Sequence, residues 1–420
     1  MGISNLGARR STPAFCYKGA RRRKTGYFVL EGVNSFGTVF YFYYVYFYMQ
    51  QAFGFGNKSN LLLAALNGAT YAVGVWWAGK LAQRLGYFTS LKLGYFMMFA
   101  AQAVGSQLHH APGQIVAMAA TDLGMCFTWP VLEALVSEGE PVGQVPHMVG
   151  VYNVIWAGTG AVAYFTGGAV LEKLGLRSLF FIPMAANAGQ LALTFWLQSR
   201  EAQTGPRQAI EVLAVRDGTP QRPSPAKGRA FLRMAWLANP FAYIGINTLI
   251  AVVPGVARKL QLSTMLAGFC CSVWCFARMG AFFTLWLWNG WHYKFRWLLA
   301  AFLALAGSFA AILMVPSLAV LVLAQLIFGF AVGLIYYSSL YYSMDASELK
   351  SEHGGFHEAA IGLGNFTGPV VGAVSLQILP NYPNSGALAV SILLLLGVGG
   401  LVTIWKLTAA QQPRAAGARG

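Results

Sequence analysis

The chain has 420 residues, 56% of them hydrophobic and only 10% charged. A soluble domain carries about 25% charged residues, so a water-soluble globular protein of this size is excluded. The net charge of +16 does not mark a nucleic-acid binder, because the basic residues sit in short segments between apolar runs, where they orient a membrane protein.

Residues 1–26 form a basic tail containing Arg9, Arg10, Arg21, Arg22, Arg23 and Lys24. The first long apolar run starts at Tyr27 and is too long for the core of a cleaved signal peptide. A helix needs about 20 largely apolar residues to cross a bilayer. Six runs of that kind follow, at 27–48, 60–79, 88–108, 113–136, 148–171 and 178–197. A hydrophilic stretch, 198–233, then carries seven basic residues from Arg200 to Arg233, with Pro206, Pro220, Pro223 and Pro225 interrupting any long helix. Six further runs lie at 234–256, 264–286, 297–315, 318–342, 355–379 and 385–405, and a tail at 407–420 closes the chain. The expected architecture is an all-α membrane protein of twelve transmembrane helices. Two six-helix bundles, 27–197 and 234–406, are joined by the linker 198–233.

Orientation follows from the basic residues. With the N-terminus in the cytoplasm, the outer segments hold only Lys58, Lys173, Arg177, Arg258 and Lys259 of the 29 lysines and arginines. Arg278 lies within a span, and all the others fall on the inner side. That asymmetry predicts cytoplasmic N and C termini and a cytoplasmic linker, in a multi-pass plasma membrane protein.

The two halves share a pattern. Gly150, Gly158, Gly160, Gly168, Ala169 and Val170 surround the fifth span. Gly354, Gly362, Gly364, Gly372, Ala373 and Val374 surround the eleventh, every pair separated by the same interval. Small residues let membrane helices approach closely, and a match between the fifth helices of two halves is what duplication produces.

After the second span the chain reads Gly79-Lys80-Leu81-Ala82-Gln83-Arg84-Leu85-Gly86-Tyr87-Phe88. This resembles the loop signature of the major facilitator superfamily, G-x-L-A-D-R-x-G-R-[KR]. Gly79, Leu81, Ala82, Arg84 and Gly86 match, Gln83 replaces the Asp, and Tyr87 and Phe88 replace the basic pair. The Gly-rich fifth span is similar to that family's antiporter motif without its Pro. The resemblance implies two bundles rocking about a central site, with Gly79, Arg84 and Gly86 at the cytoplasmic gate. Glu133 is the candidate acidic partner of Arg84 in place of the missing Asp. The first, fourth, seventh and tenth helices would line the pathway.

Charges at membrane depth are costly and point to cavities or pairs. In the fourth span Asp122, Cys126, Trp129 and Glu133 share one stripe at helical spacing. Arg278 lies at similar depth in the eighth, so an Asp122–Arg278 pair across the halves is an expectation, with Asp122 as a proton-coupling site. The first span offers Glu31, Asn34, Thr38 and Tyr41, and the seventh Asn239, Tyr243 and Asn247. Asn153 and Trp156 in the fifth and Tyr337 in the tenth complete the candidate cavity. Each of these polar residues, taken singly, is more often glue between helices than a substrate ligand. His357 and Glu358 open the eleventh span as gate or cap, with a proton relay as the alternative. The aromatic run from Phe40 to Tyr48 goes round the first helix, so part of it forms an interfacial belt and the rest is free to stack on a flat ligand.

The five cysteines show neither a disulfide frame nor zinc spacing, and no metal or cofactor is expected. The run from Gly74 to Lys80 has Walker-like spacing but lies at the end of a span and lacks the following Ser or Thr. The reading is therefore a secondary transporter and not an enzyme, moving a small neutral or amphipathic, sugar-like solute by alternating access, with protons as candidate coupling ion. Efflux of apolar compounds, or a transporter-shaped sensor or assembly protein, are the rivals.

Overall fold

A computed structural model describes residues 14–138, 145–202, 225–345 and 350–411. Among these residues all regular structure is helical. The elements in chain order are α1 (Ala14–Phe53), α2 (Asn57–Leu85), α3 (Tyr87–Gly105), α4 (Ala111–Cys126), α5 (Trp129–Ser137), α6 (Val145–Leu174), α7 (Ser178–Ala202), α8 (Pro225–Lys259), α9 (Thr264–Cys271), α10 (Val273–Leu287), α11 (Phe295–Met314), α12 (Leu318–Asp345), α13 (Lys350–Ile378) and α14 (Ser385–Gln411). Helices α4 and α5 form one broken span, Ala111–Val136, and α9 and α10 another, Thr264–Leu287, which leaves twelve helices in series.

Ten of the twelve are long and apolar enough to cross a membrane. The other two, α1 and α3, fall short in hydropathy because of what they carry. Glu31, Asn34 and Ser35 lie in α1, and Lys92 and Gln102 in α3. Glu31, Asn34, Ser35 and Gln102 are all buried, so their polarity is turned into the protein rather than toward lipid. Helix α7 runs on to Ala202, and α8 begins at Pro225. Regular helix thus covers both ends of the basic stretch that the sequence reading assigns to linker. Pro225 suits a first helical position, where its missing N–H has no intrahelical partner to lose.

The break in the fourth span has a local cause. Pro130 stands at the second position of α5, cannot donate to the carbonyl four residues back, and crowds it. The chain accommodates it by turning at Phe127 and Thr128, where the Thr128 hydroxyl donates to the Met125 carbonyl at 2.9 Å. The far end of α5 is capped from another helix: Lys24 donates its Nζ to the carbonyls of Leu135, Val136 and Glu138 at 3.3, 2.7 and 2.8 Å. A cation there satisfies orphan carbonyls and complements the helix dipole.

Packing follows small residues. Helix α1 packs on α6 and α7, α3 on α4 and α7, α11 on α12 and α14, and α8 on α12, α13 and α14. The contacts joining early to late sequence run from α2 to α13 and α8, from α6 to α9 and α10, and from α1 to α8. At Gly168 the α6 backbone meets that of Thr264, and a Cβ on Gly268 would lie 3.3 Å from the Gly168 Cα. A Cβ on Gly158 would come 2.9 Å from the Met279 sulfur, and one on Gly362 2.7 Å from Ala72. Side chains larger than hydrogen would hold these helices apart, so the glycines set the interhelical distance.

The paired glycines serve paired roles. In α6, Gly158 and Gly168 face α10 and α9, while Gly160 faces α1. In α13, Gly362 and Gly372 face α2, while Gly364 faces α8. The correspondence of α6 with α13, and of α1 with α8, is what a repeated unit predicts.

Candidate functional site

The residues that α1, α5, α6, α8, α10 and α12 turn inward meet in the middle of the molecule. Trp156 of α6 is the hub. Its ring lies 5.9 Å from Trp129, 5.5 Å from Phe282 and 5.6 Å from Tyr336, each centroid to centroid. Its Nε1 donates to Asn153 Oδ1 at 2.9 Å, one turn away on the same helix. Tyr243 of α8 closes on Tyr336 at 6.4 Å, and Tyr337 packs on Phe282 at 6.1 Å.

Arg278 sits against this cluster. It is 5% exposed, and its guanidinium carbon stands 4.5 Å from the Trp156 ring centre and 4.8 Å from that of Trp274. Trp274 precedes Arg278 by one turn of α10, so both project from one face. Tyr43 stacks on Trp274 at 6.2 Å and 19°, with its hydroxyl facing the guanidinium.

The expected Asp122–Arg278 pair is not made in this conformation. Asp122 is fully buried, and the Asn67 amide, with its nitrogen toward the carboxylate, donates to the two oxygens at 3.1 and 3.0 Å. Helix α2 thus satisfies Asp122 locally.

A second group of buried polar residues lies beside the aromatic cluster. Glu31 is buried with neither carboxyl oxygen hydrogen-bonded. The Tyr152 hydroxyl faces it, and Glu133 lies within electrostatic reach. Glu133 in turn feels Glu358 of α13, and Glu358 accepts a 2.6 Å hydrogen bond from the Tyr71 hydroxyl of α2. Three carboxyls from α1, α5 and α13 thus lie in series within electrostatic reach, Glu31 of Glu133 and Glu133 of Glu358. Glu133 faces this group and not Arg84, which is exposed at the end of α2.

Other candidates divide by position. Both polar atoms of the Asn34 side chain are buried without a partner. Asn247 of α8 donates to Asn365 of α13, so it joins two helices. Tyr41 packs against Phe180 at 6.2 Å and belongs to the α1–α7 seam, away from the centre. Gly79 lies near the end of α2, with open space where a Cβ would stand. Gly86 has φ +82° between α2 and α3, a backbone conformation that glycine alone adopts without strain. The His357 side chain lies outside the described residues.

Sequence reasoning passed over Tyr43, Trp274, Phe282, Tyr71 and Tyr152. Trp274 was detectable from its one-turn spacing to Arg278. Tyr43 was hidden inside an aromatic run in which every face is aromatic.

The end of the molecule carrying the α1–α2 and α8–α9 turns is held by polar bonds. Gln51 donates to Thr264 Oγ1 at 2.9 Å, Lys58 to Gln377 Oε1 at 2.7 Å, and the Met265 amide to Glu172 Oε2 at 2.8 Å. At the opposite end His147 lies 5.1 Å from Trp286.

Residues 27–376 match the Major Facilitator Superfamily profile. The chain belongs to the major facilitator superfamily. Solved structures agree on the fold. The nucleoside transporter NupG superposes with TM-score 0.63 at 12% identity, covering 92% of this chain and 98% of its own. A bacterial homolog of the human lysosomal transporter Spinster, inward-facing and unoccupied, gives 0.61 at 13%, with coverage of 95% and 96%. The human organic anion transporter MFSD10 (TETRAN) gives 0.61 at 15%, with coverage of 92% and 99%. No curated protein sequence matches the chain significantly. The protein is thus a multi-pass membrane protein of a transporter family.

Proposed function

We propose that the protein is a secondary active transporter that carries a small amphipathic solute by alternating access, coupled to protons. Its helices act as two bundles, 27–197 and 234–406, with the linker and both termini on the cytoplasmic side of the plasma membrane. The distribution of basic residues supports this orientation.

The observation that carries the reading is the composition of the centre. Trp129 and Trp156 come from the first bundle, and Phe282, Tyr336 and Arg278 from the second. A site built from both bundles changes whenever one rocks against the other, which is what alternating access requires. The ring faces of Trp156 and Tyr336 suit the flat or apolar side of a solute.

Glu31, Glu133 and Glu358 supply the coupling. No cation neutralises the Glu31 carboxyl in the described site, and burying a charge without a partner is costly. A proton removes that cost. Glu358 carries the link between the bundles, because its bond to Tyr71 joins α13 to α2. When Glu358 accepts from Tyr71 the bundles are tied at this point, and a change in its protonation alters that tie. Asp122, already bonded to Asn67, is a structural carboxyl in this account.

Uptake into proteoliposomes under an inward proton gradient tests the reading. The native protein should concentrate a solute from a panel of sugars, sugar acids and small amphipaths. Glu358→Gln should retain solute exchange but lose gradient-driven accumulation by tenfold or more. Accumulation by Glu358→Gln equal to the native level refutes the coupling role. Absence of flux under every gradient refutes transport and favours a sensor.

A further inference from the structure

We infer that the solute carries one anionic group, a carboxylate or its equivalent, and that Arg278 together with the indole N–H of Trp274 and the Tyr43 hydroxyl receives it. The inference deepens the transport reading and rests on it for the word solute, although the binding it describes is independent of transport.

The argument starts from hydrogen-bond donors that have nothing to bond. Arg278 is almost wholly buried, its Nε has no acceptor, and among the described residues no carboxylate lies at ion-pair distance from it. A guanidinium presents five N–H donors and accepts nothing. A buried cation is normally paired, because burying it alone costs several kcal/mol. The two indole faces at 4.5 and 4.8 Å offer cation–π attraction but no acceptor for the N–H groups. Trp274 is fully buried, and its Nε1 likewise has no partner. The Tyr43 hydroxyl meets the guanidinium, accepting from it and keeping its own O–H as a donor, and its ring stacks on Trp274. All three groups would gain from one acceptor carrying negative charge, and a planar carboxylate matches the guanidinium fork.

The local backbone adds to this. Helix α10 starts at Val273, immediately after the break at Ser272, so the positive end of its dipole lies beside Trp274, one turn before Arg278. The carboxyls of the first bundle are elsewhere: Asp122 is held by Asn67, and Glu31, Glu133 and Glu358 interact with one another and with tyrosines. None of them fills the role. The aromatic walls formed by Trp156, Phe282 and Tyr336 then face the rest of the solute, which is uncharged and ring-bearing or apolar. This narrows the neutral or amphipathic solute expected from sequence, where Arg278 was expected to pair with Asp122.

Thermal stability of the detergent-solubilised full-length protein tests the assignment with matched acid and amide probes. Suitable pairs are benzoate with benzamide, hexanoate with hexanamide, and glucuronate with glucose, each at millimolar concentration. At least one acid should raise the melting temperature while its neutral partner does not. Arg278→Gln should weaken that acid's apparent affinity about thirtyfold or more, as expected for loss of one member of a buried charge pair. Trp274→Phe keeps the ring but removes the N–H, and should weaken it by a smaller factor. Circular dichroism checks that each variant is folded, and Arg278→Lys, which keeps the charge, should retain part of the binding. The inference is overturned if neutral probes act as well as acids, if Arg278→Gln binds the acid like the native protein, or if no acid acts at all. Acid binding without flux in proteoliposomes leaves the anion site standing and removes the transport reading instead.

Discussion

Arg278 and Asp122 show how two charges of similar depth acquire different roles. Asp122 finds two donor contacts from one amide, whereas Arg278 finds two ring faces and a tyrosine hydroxyl but no anion among the described residues. Asn67→Leu should therefore strand a buried carboxylate and lower stability by about 1–3 kcal/mol, seen as a reduced melting temperature. Asp122→Asn keeps the hydrogen-bonding shape and should preserve gradient-driven uptake. Loss of coupling in Asp122→Asn, with exchange retained, would instead make Asp122 the proton site. Tyr71→Phe removes the hydrogen bond that ties Glu358 to α2 without opening a large cavity. It should alter the pH dependence of uptake and lower the melting temperature modestly, by the cost of one buried hydrogen bond, about 1–3 kcal/mol. An unchanged pH profile would mean that the bond is only glue.

Among elements, α6 and α13 carry the most legible part of the sequence. Their glycine spacing predicted close approach, and the structure places Gly158 against Met279, Gly168 against Thr264 and Gly362 against Ala72. Gly168→Val would drive a side chain into the α9 backbone. Overpacking of this kind costs about 1–3 kcal/mol, so the variant should melt earlier, and Gly160→Ala, 3.1 Å from the Ser35 hydroxyl, should be milder. Equal melting of Gly168→Val and native protein would show that α6 and α9 are free to separate. Lys24→Ala should uncap α5 and cost about 1 kcal/mol, measurable the same way. The breaks in the fourth and eighth spans were not legible as breaks. A uniform apolar run hides them, although Pro130 was visible and its effect follows from its missing N–H.

For the whole molecule, length and hydropathy predicted the number of helices, because crossing a bilayer requires every backbone group to be bonded within the segment. The site was legible only in part. Stripes on single helices pointed to Trp129 and Tyr243, charge at membrane depth pointed to Arg278, and Asn153 and Trp156 were further candidates in the fifth span. The contacts among them depend on how the helices rotate against each other, which periodicity on one helix does not determine. Hence Tyr41 lies on a seam, Asn247 joins α8 to α13, and Tyr43 reaches Arg278. The proposed rocking requires the bonds at the α1–α2 end, from Gln51, Lys58 and Glu172, to break as the central aromatic cluster rearranges. Spin labels on exposed positions 56 and 261 report that end, and labels on exposed positions 83 and 289 report the other. Pulsed dipolar distances between each pair, in a variant with the native cysteines replaced and reconstituted in lipid, test the central claim most directly. Alternating access predicts two populations whose distances change in opposite senses at the two ends when pH or bound acid is varied. One fixed distance at both ends under every condition would contradict it.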